Sequence, residues 1–251
     1  MDWTRPLRPA DRVAAGLLMA VLLMGTYHLV AEHMAASAAP MVELPTAVDG
    51  WVPFWAGSSL VYLGIYPHAL TPLFVVEDRR VLARGAAAYL ALVLGSVPVW
   101  LLWPVTVPRA PVEVDGLFTW GVALTRAIDP PTNCFPSMHV AETVLSALLC
   151  GRVDRRLRGP MLAGAALIWW STLAMDQHWF VDGLVGALLA VGADRLAFDL
   201  RPLPPEALRP GPRWRLALPI ALYAALFTAA ASPWWTGAGP SVLEALRPAG
   251  P

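Results

Sequence analysis

Long apolar stretches, each closed by arginine, proline or tryptophan, dominate the chain from residue 13 to residue 235. A helix that crosses a bilayer needs about 20 mostly apolar residues at roughly 1.5 Å each. That ruler predicts crossings over residues 13–34, 54–76, 86–103, 137 to about 150, 161–175, 180–197 and 216–235. The fourth stretch is the shortest. The pattern therefore predicts an all-α, polytopic membrane helical bundle of about six to seven transmembrane helices. No fixed-period repeat interrupts it, so residues 1–251 are expected to form a single membrane domain. Residues 200–215 read as a Pro/Arg-rich cytoplasmic linker, and residues 236–251 as a loose C-terminal tail.

Arginine placement supports the scheme independently. With the N-terminus cytoplasmic, fifteen arginines fall on inner segments and only Arg109, Arg126 and Arg247 on outer ones, as the positive-inside rule requires. Trp51, Trp55, Trp100, Trp103, Trp179, Trp234 and Trp235 all lie near expected outer boundaries, the place of an aromatic belt. Composition agrees: 57% of residues are hydrophobic and 14% charged, against about 25% charged in a soluble domain. A disordered chain is excluded by the same numbers, and a formal net charge of zero speaks against nucleic-acid binding. All 18 basic residues are arginines, so no lysine is present to form a Schiff base or to clamp a phosphate. The N-terminal arginines, apolar stretch and Ala35-Ala36-Ser37-Ala38-Ala39 imitate a secretory signal, but the stretch is long for one and is expected to be a retained anchor. The protein is expected in a bacterial inner or plasma membrane, with the bilayer as its constant partner.

Polar residues at membrane boundaries are costly and mark function. Three such groups converge on the expected outer face. The first is the proline-stiffened segment Pro104 to Pro111, which carries Arg109. The second runs Asp129-Pro130-Pro131-Thr132-Asn133-Cys134-Phe135-Pro136-Ser137-Met138-His139 into the fourth stretch. Pro136 bars helix before it and Ser137 is a natural N-cap, so free N–H groups of the first turn make an anion site beside His139. The third is Ser171 to Asp182, in which His178 and Asp182 stand i, i+4 and are expected on one face of the sixth helix. Such a carboxylate fixes one imidazole N–H and leaves the other nitrogen free as a nucleophile. Singly, each group has an ordinary structural reading; together on one face they point to phosphate chemistry. His28, Glu32 and His33 read as an interfacial cluster rather than a metal pair, and His68 as the lining of a helix break beside Pro67. Glu142, one turn below His139, is placed to tune it or to contact a polar headgroup. Cys134 and Cys150, about 24 Å apart by helical rise, are too distant for a disulfide.

Pro136-Ser137-x-His139, followed by Ser171-x6-His178-x3-Asp182, resembles the second and third signature motifs of the PAP2 (type 2 phosphatidic acid phosphatase) superfamily, over a core at about residues 104–192. Asn133 to Val140 is similar to its inositolphosphotransferase-like branch, which includes inositol phosphorylceramide synthases and is related to sphingomyelin synthases. The resemblance implies that His178 attacks phosphorus, Asp182 orients it, and His139 serves the departing or entering oxygen. It implies that Ser137, Ser171 and Arg109 hold the non-bridging oxygens, with neither metal nor cofactor, and that the substrate is a lipid phosphate or phospholipid. Three positions depart from the family pattern: Thr172 replaces an arginine, the lysine of the first motif is missing, and Met138 replaces a glycine. Fewer cations favour a monoanionic diester over a dianionic monoester, hence transfer over hydrolysis. Two rivals stand beside the enzyme reading: a catalytically silent relative, and a small transporter using the same His/Asp/Arg set as a relay.

Overall fold

The computed structural model describes residues 7–37 and 39–246; Arg5, Ala38 and Arg247, used in the sequence reading, lie outside them. Among the described residues the regular elements are helical. They are α1 (Pro9–Ala36), carrying a π-turn at Val21–Gly25, α2 (Ser58–Leu63), α3 (Ile65–Val75), α4 (Arg79–Leu102), α5 (Leu117–Ile128), α6 (Met138–Val153), α7 (Arg155–Ala174), α8 (Phe180–Phe198), α9 (Ala217–Trp235) and α10 (Gly239–Ala245). The second expected crossing is broken in two at Gly64. Helix α5, only 12 residues long, was not anticipated. Three stretches are long and apolar enough to cross a membrane by length and composition: Pro9–Ala36, Arg79–Leu102 and Arg213–Trp235.

Helix starts follow from local chemistry. Asp78 accepts the Arg80 N–H at 2.7 Å and Asp154 accepts the Arg156 N–H at 3.0 Å, satisfying amides that have no intrahelical partner. Arg80 also donates from its guanidinium to Asp78, which holds that carboxyl below its ordinary range. Helix α6 is the centre of the bundle: eleven of its 16 residues are buried, and it packs against α3, α4, α7 and α8. Val30 and Met34 of α1, Leu92 of α4, Leu145 of α6 and Ala190 of α8 share one core cluster. The rim is opposite in character. Val13, Leu17, Val21 and Leu29 of α1 are each at least 60% exposed. An aqueous solvent penalises such a face, whereas hydrocarbon accepts it.

The two ends of α6, His139 and Arg152, are about 20 Å apart by helical rise. At the Arg152 end, Arg12 donates to the carbonyls of Leu73 and Val76 and pairs with Glu77, which also pairs with Arg215. The segment expected as a linker packs here: Ala207 is buried against Val75, Val76 and Val81, and Gly211 donates to the Val75 carbonyl. Nor is the chain beyond residue 235 loose throughout, since α10 packs against α5 with Gly239 on the Trp120 ring. Trp100 departs from the expected belt. It is 1% exposed and directs its indole N–H towards the Pro136 carbonyl, whereas Trp51, Trp55, Trp103 and Trp235 are indeed exposed.

Arg152 donates from Nε and Nη2 to the two oxygens of buried Asp194, both at 2.7 Å, and from Nη2 to Asp199. Arg152→Ala orphans a buried carboxylate and is expected to cost about 3 kcal/mol. Thermal unfolding in detergent measures this, and adding Asp194→Asn should restore part of the loss.

Candidate active site

Pro136 and Ser137 bring α6 to its start as the sequence implies: the Ser137 hydroxyl accepts the Val140 N–H at 3.4 Å, and His139 sits in the first turn. Ser137 N–H donates to the Asp182 carbonyl at 3.0 Å, which ties the start of α6 to the start of α8. A Cβ at Gly186 would stand 2.4 Å from the Ser137 carbonyl oxygen. Only glycine permits that approach.

His178 is not on the sixth expected helix. It precedes α8, in a turn where the Gln177 and His178 N–H groups donate to the Thr172 carbonyl and Asp176 takes a φ of 53°. Asp182, inside the first turn of α8, accepts the Trp179 N–H at 2.8 Å and lies 3.4 Å from His178 Nδ1. The i, i+4 pair thus meets across a helix start, with one carboxylate both capping the helix and facing the imidazole. Asp49, from the loop after α1, accepts the Phe180 N–H at 2.7 Å and completes that cap.

These two helix starts put the imidazoles in contact: His139 Nδ1 lies 2.8 Å from His178 Nε2. The tautomers follow from the partners. His178 Nδ1 is 2.9 Å from the Cys134 carbonyl oxygen, which only accepts, so Nδ1 carries the proton. Nε2 of neutral His178 then holds a lone pair and receives the His139 Nδ1–H. On its far side, His139 Nε2 is 3.0 Å from the Tyr62 hydroxyl, which is 3.1 Å from Asp129 Oδ2. Tyr27 donates to Asp129 Oδ1 at 2.6 Å, and Arg109 donates to the Asp129 backbone carbonyl at 2.6 Å. Burial alone would raise the Asp129 carboxyl; His139, Arg109 and the Tyr27 hydrogen bond outweigh it and hold the group below the ordinary carboxylate range.

His139, His178, Asp182, Ser137 and Arg109 therefore converge, Arg109 through the Asp129 backbone. Ser171 is buried and donates to the Ile168 carbonyl of its own helix at 2.6 Å. Asp129, Tyr62 and Tyr27 join the site without having been singled out. Arg126 of α5 donates to the Met175 carbonyl and pairs with Asp176, fastening the turn that holds His178. His68 bonds to the Met161 carbonyl at 2.9 Å, joining α3 to α7. Both cysteines are free and buried.

Cys134 Sγ, His178 Nδ1 and an Asp182 oxygen lie within 4.8 Å of one another, close enough to share a metal ion. The donor chemistry fits one poorly. Nδ1 is engaged as a proton donor, and burial, reinforced by the Asp182 charge, pushes the Cys134 thiol up, away from the thiolate that metals bind.

From His139 a cleft of about 190 Å³ runs down the bundle between α1, α3, α4 and α6. Its upper part is lined by Tyr27, Tyr62, Asp129 and His139, and its walls further down by Met19, Leu70, Leu73, Leu82 and Leu149. Helical rise from His139 to Leu149 makes it about 15 Å long.

Comparison with known proteins agrees with this arrangement. A family model described as "PAP2 superfamily" matches residues 52–196. The inositol phosphorylceramide synthase catalytic subunit AUR1 of Saccharomyces cerevisiae is 31% identical over 58 residues, 23% of this chain and 14% of that protein. The inositol phosphorylceramide synthase of Candida albicans is 30% identical over 59 residues, 24% of this chain and 12% of its own length. The matched segments thus span about an eighth of those relatives. No solved structure matches the chain. The family match takes in both helix starts and both histidines, and with it the chain belongs to the PAP2 superfamily, with a weak similarity to the inositol phosphorylceramide synthases that Asn133 to Val140 already resembled.

Proposed function

We propose that the protein is a membrane-embedded lipid phosphoryl-transfer enzyme that works through a phosphohistidine on His178. The observation that carries this reading is the His139–His178 pair, two imidazoles 2.8 Å apart at the head of an apolar cleft, each with its outer nitrogen engaged. A phosphoryl group enters between the rings. His178 Nε2 attacks phosphorus in line, while Nδ1–H remains on the Cys134 carbonyl and Asp182 balances the charge that develops on the ring. The bond from phosphorus to the lipid oxygen breaks, and His139, which meets the anionic phosphate as the imidazolium with Asp129 behind it, gives that oxygen its Nδ1 proton and keeps Nε2–H on the Tyr62 hydroxyl. In the second step His139 takes a proton from water or an acceptor hydroxyl, which attacks phosphorus and frees His178. Arg109, Ser137 and the first-turn amides of α6 hold the non-bridging oxygens.

The bundle is proposed to cross the membrane six to seven times, with the site at the outer leaflet and the arginine-rich end cytoplasmic. The lipid reaches the cleft sideways, its chain lying against α1 and α3. With Thr172 where the family has arginine, the cradle suits a phosphodiester, which favours headgroup transfer over monoester hydrolysis. Purified protein, incubated with labelled lipid phosphates and phospholipids in EDTA and resolved by thin-layer chromatography, is expected to form a new phosphodiester when a lipid or polyol acceptor is supplied. Release of inorganic phosphate alone would make it a phosphatase, and loss of all turnover in EDTA would overturn the metal-free mechanism.

A further inference from the structure

Helix α1 lies outside residues 52–196, the stretch that the family model matches, yet it reaches into the site. Among the described residues, buried Asp129 receives its carboxylate hydrogen bonds from two phenols. Tyr27 of α1 donates to Oδ1 at 2.6 Å and Tyr62 to Oδ2 at 3.1 Å. The first has the length of a hydroxyl on an ionised carboxylate, about 2.5–2.7 Å, and such bonds are the strong ones. The Tyr62 hydroxyl is shared with His139, and Arg109 meets the Asp129 backbone rather than the carboxylate. Tyr27 is therefore the firmest hold on the carboxylate that stands behind His139. The same helix pins the loop that follows Asp129: Asn133 Nδ2 donates to the Tyr27 carbonyl at 2.8 Å and Thr132 Oγ1 to the Ala31 carbonyl at 3.3 Å. That loop carries the Cys134 carbonyl that bonds His178, and it leads into His139.

The other end of α1 is held as well. Arg12 donates to the Leu73 and Val76 carbonyls, and a Cβ at Gly16 would stand 2.9 Å from Leu73 Cδ1. With both ends held, the number of residues between Arg12 and Tyr27 decides which way Tyr27 faces. The π-turn at Val21–Gly25 falls in that interval. It takes in one residue more than the α-turn it replaces, and one residue is about 100° of helix rotation. An unbroken α-helix from Arg12 would turn the Tyr27 ring by that angle, away from Asp129. Resting on the phosphoryl-transfer reading, we infer that Tyr27 is a positioning residue that holds Asp129 as the counter-charge of His139, and that the π-turn sets the register that aims it.

Tyr27→Phe keeps the ring against Trp100, with centroids 5.5 Å apart, and removes only the hydroxyl. It is expected to lower kcat roughly 10-fold, the range of a hydrogen bond to a charged group, with KM little changed. Combined with Asp129→Asn it should lower kcat no further than Asp129→Asn alone, whereas a merely structural tyrosine would add its own loss. Deleting Val21, which is 69% exposed, removes the extra residue. That variant should lose at least as much kcat as Tyr27→Phe. An alanine inserted between Gly25 and Thr26 of the deletion variant restores the count and should restore kcat. Wild-type kcat in Tyr27→Phe or in the deletion, additive losses with Asp129→Asn, or an insertion that restores nothing overturns the inference. Thermal unfolding of the same proteins in detergent gives a readout without turnover. Tyr27→Phe should lower the midpoint less in the Asp129→Asn background than in wild type, where the hydroxyl meets a charge. Equal shifts overturn the inference too. The expected coupling in a wild type that turns over no lipid phosphate would instead sink the phosphoryl-transfer reading and leave the hold of Tyr27 on Asp129 in place.

Discussion

His178→Ala is expected to lower turnover by roughly 10⁴- to 10⁶-fold, the scale seen when a covalent nucleophile is removed. No neighbouring group is placed to take over. His139 shares the site, but its Nε2 faces Tyr62 and Asp129, and its Nδ1 carries the proton that the leaving oxygen needs. The variant should also fail to retain label when the wild-type enzyme, mixed with phosphorus-labelled lipid and quenched in base, yields an acid-labile phosphoprotein. His139→Ala separates the two roles. It keeps the nucleophile and loses the acid, so turnover falls while label from a donor with a good leaving group persists on His178. His178 is 4% exposed and bonded to the Cys134 carbonyl, so its removal leaves a cavity. His178→Gln is the companion variant, filling that space without a competent nucleophile. If either His178 variant keeps wild-type turnover, the mechanism fails.

The residues proposed to act on the phosphoryl group stand out in the sequence because the signals that mark them are local. Pro136 before Ser137 marks a helix start, and a histidine in the first turn beside free amides declares its chemistry by type and position. His178 and Asp182 were found for a reason that was only half right. A spacing of four brings two side chains together along a helix, but it does so equally between the residue before an N-cap and the third residue of the helix. The chain uses the second arrangement. Helix α5 went unrecognised because its 12 residues fall short of a bilayer crossing, and length was the criterion. Asp129 heads the second polar group but carries no role there, and Tyr62 and Tyr27 carry no local signal. Tyr62 is 67 residues and Tyr27 is 102 residues from Asp129, and only the packing of α2 on α5, and of α1 on the loop after α5, brings them together. Trp100 looked like a boundary residue because belts and cores use the same side chain, and its depth depends on neighbours far along the chain.

That long-range cluster carries the second large effect. Asp129→Asn is expected to lower kcat by roughly 10²-fold with a smaller change in KM, within the range of general acid–base contributions. The carboxylate stands 3.8 Å from His139 Nε2 and is linked to it through the Tyr62 hydroxyl. When His139 takes up a proton at Nδ1 in the second step while Nε2 holds its own, Nε2–H donates to Tyr62 and Tyr62 donates to Asp129, so the cation has a counter-charge at the end of two hydrogen bonds. Asparagine preserves the shape and removes the charge. Asp129 is thus a positioning residue acting through another side chain, and the cycle with Tyr62→Phe distinguishes this from a structural role. Tyr62→Phe alone should cost about 10-fold, and the double variant no more than Asp129→Asn alone, because both changes cut one connection. Independent, additive losses would refute the relay. The pH dependence has a definite sign. Since the folded carboxyl lies below its ordinary value, its contribution to stability is complete above about pH 4 and is lost as pH falls through the lower folded value. The difference in unfolding midpoint between wild type and Asp129→Asn should therefore be constant from about pH 5 to 8 and shrink below about pH 4. A difference that instead grew as the pH fell would mean that the carboxyl enters the fold protonated, and His139 would then have no anion behind it.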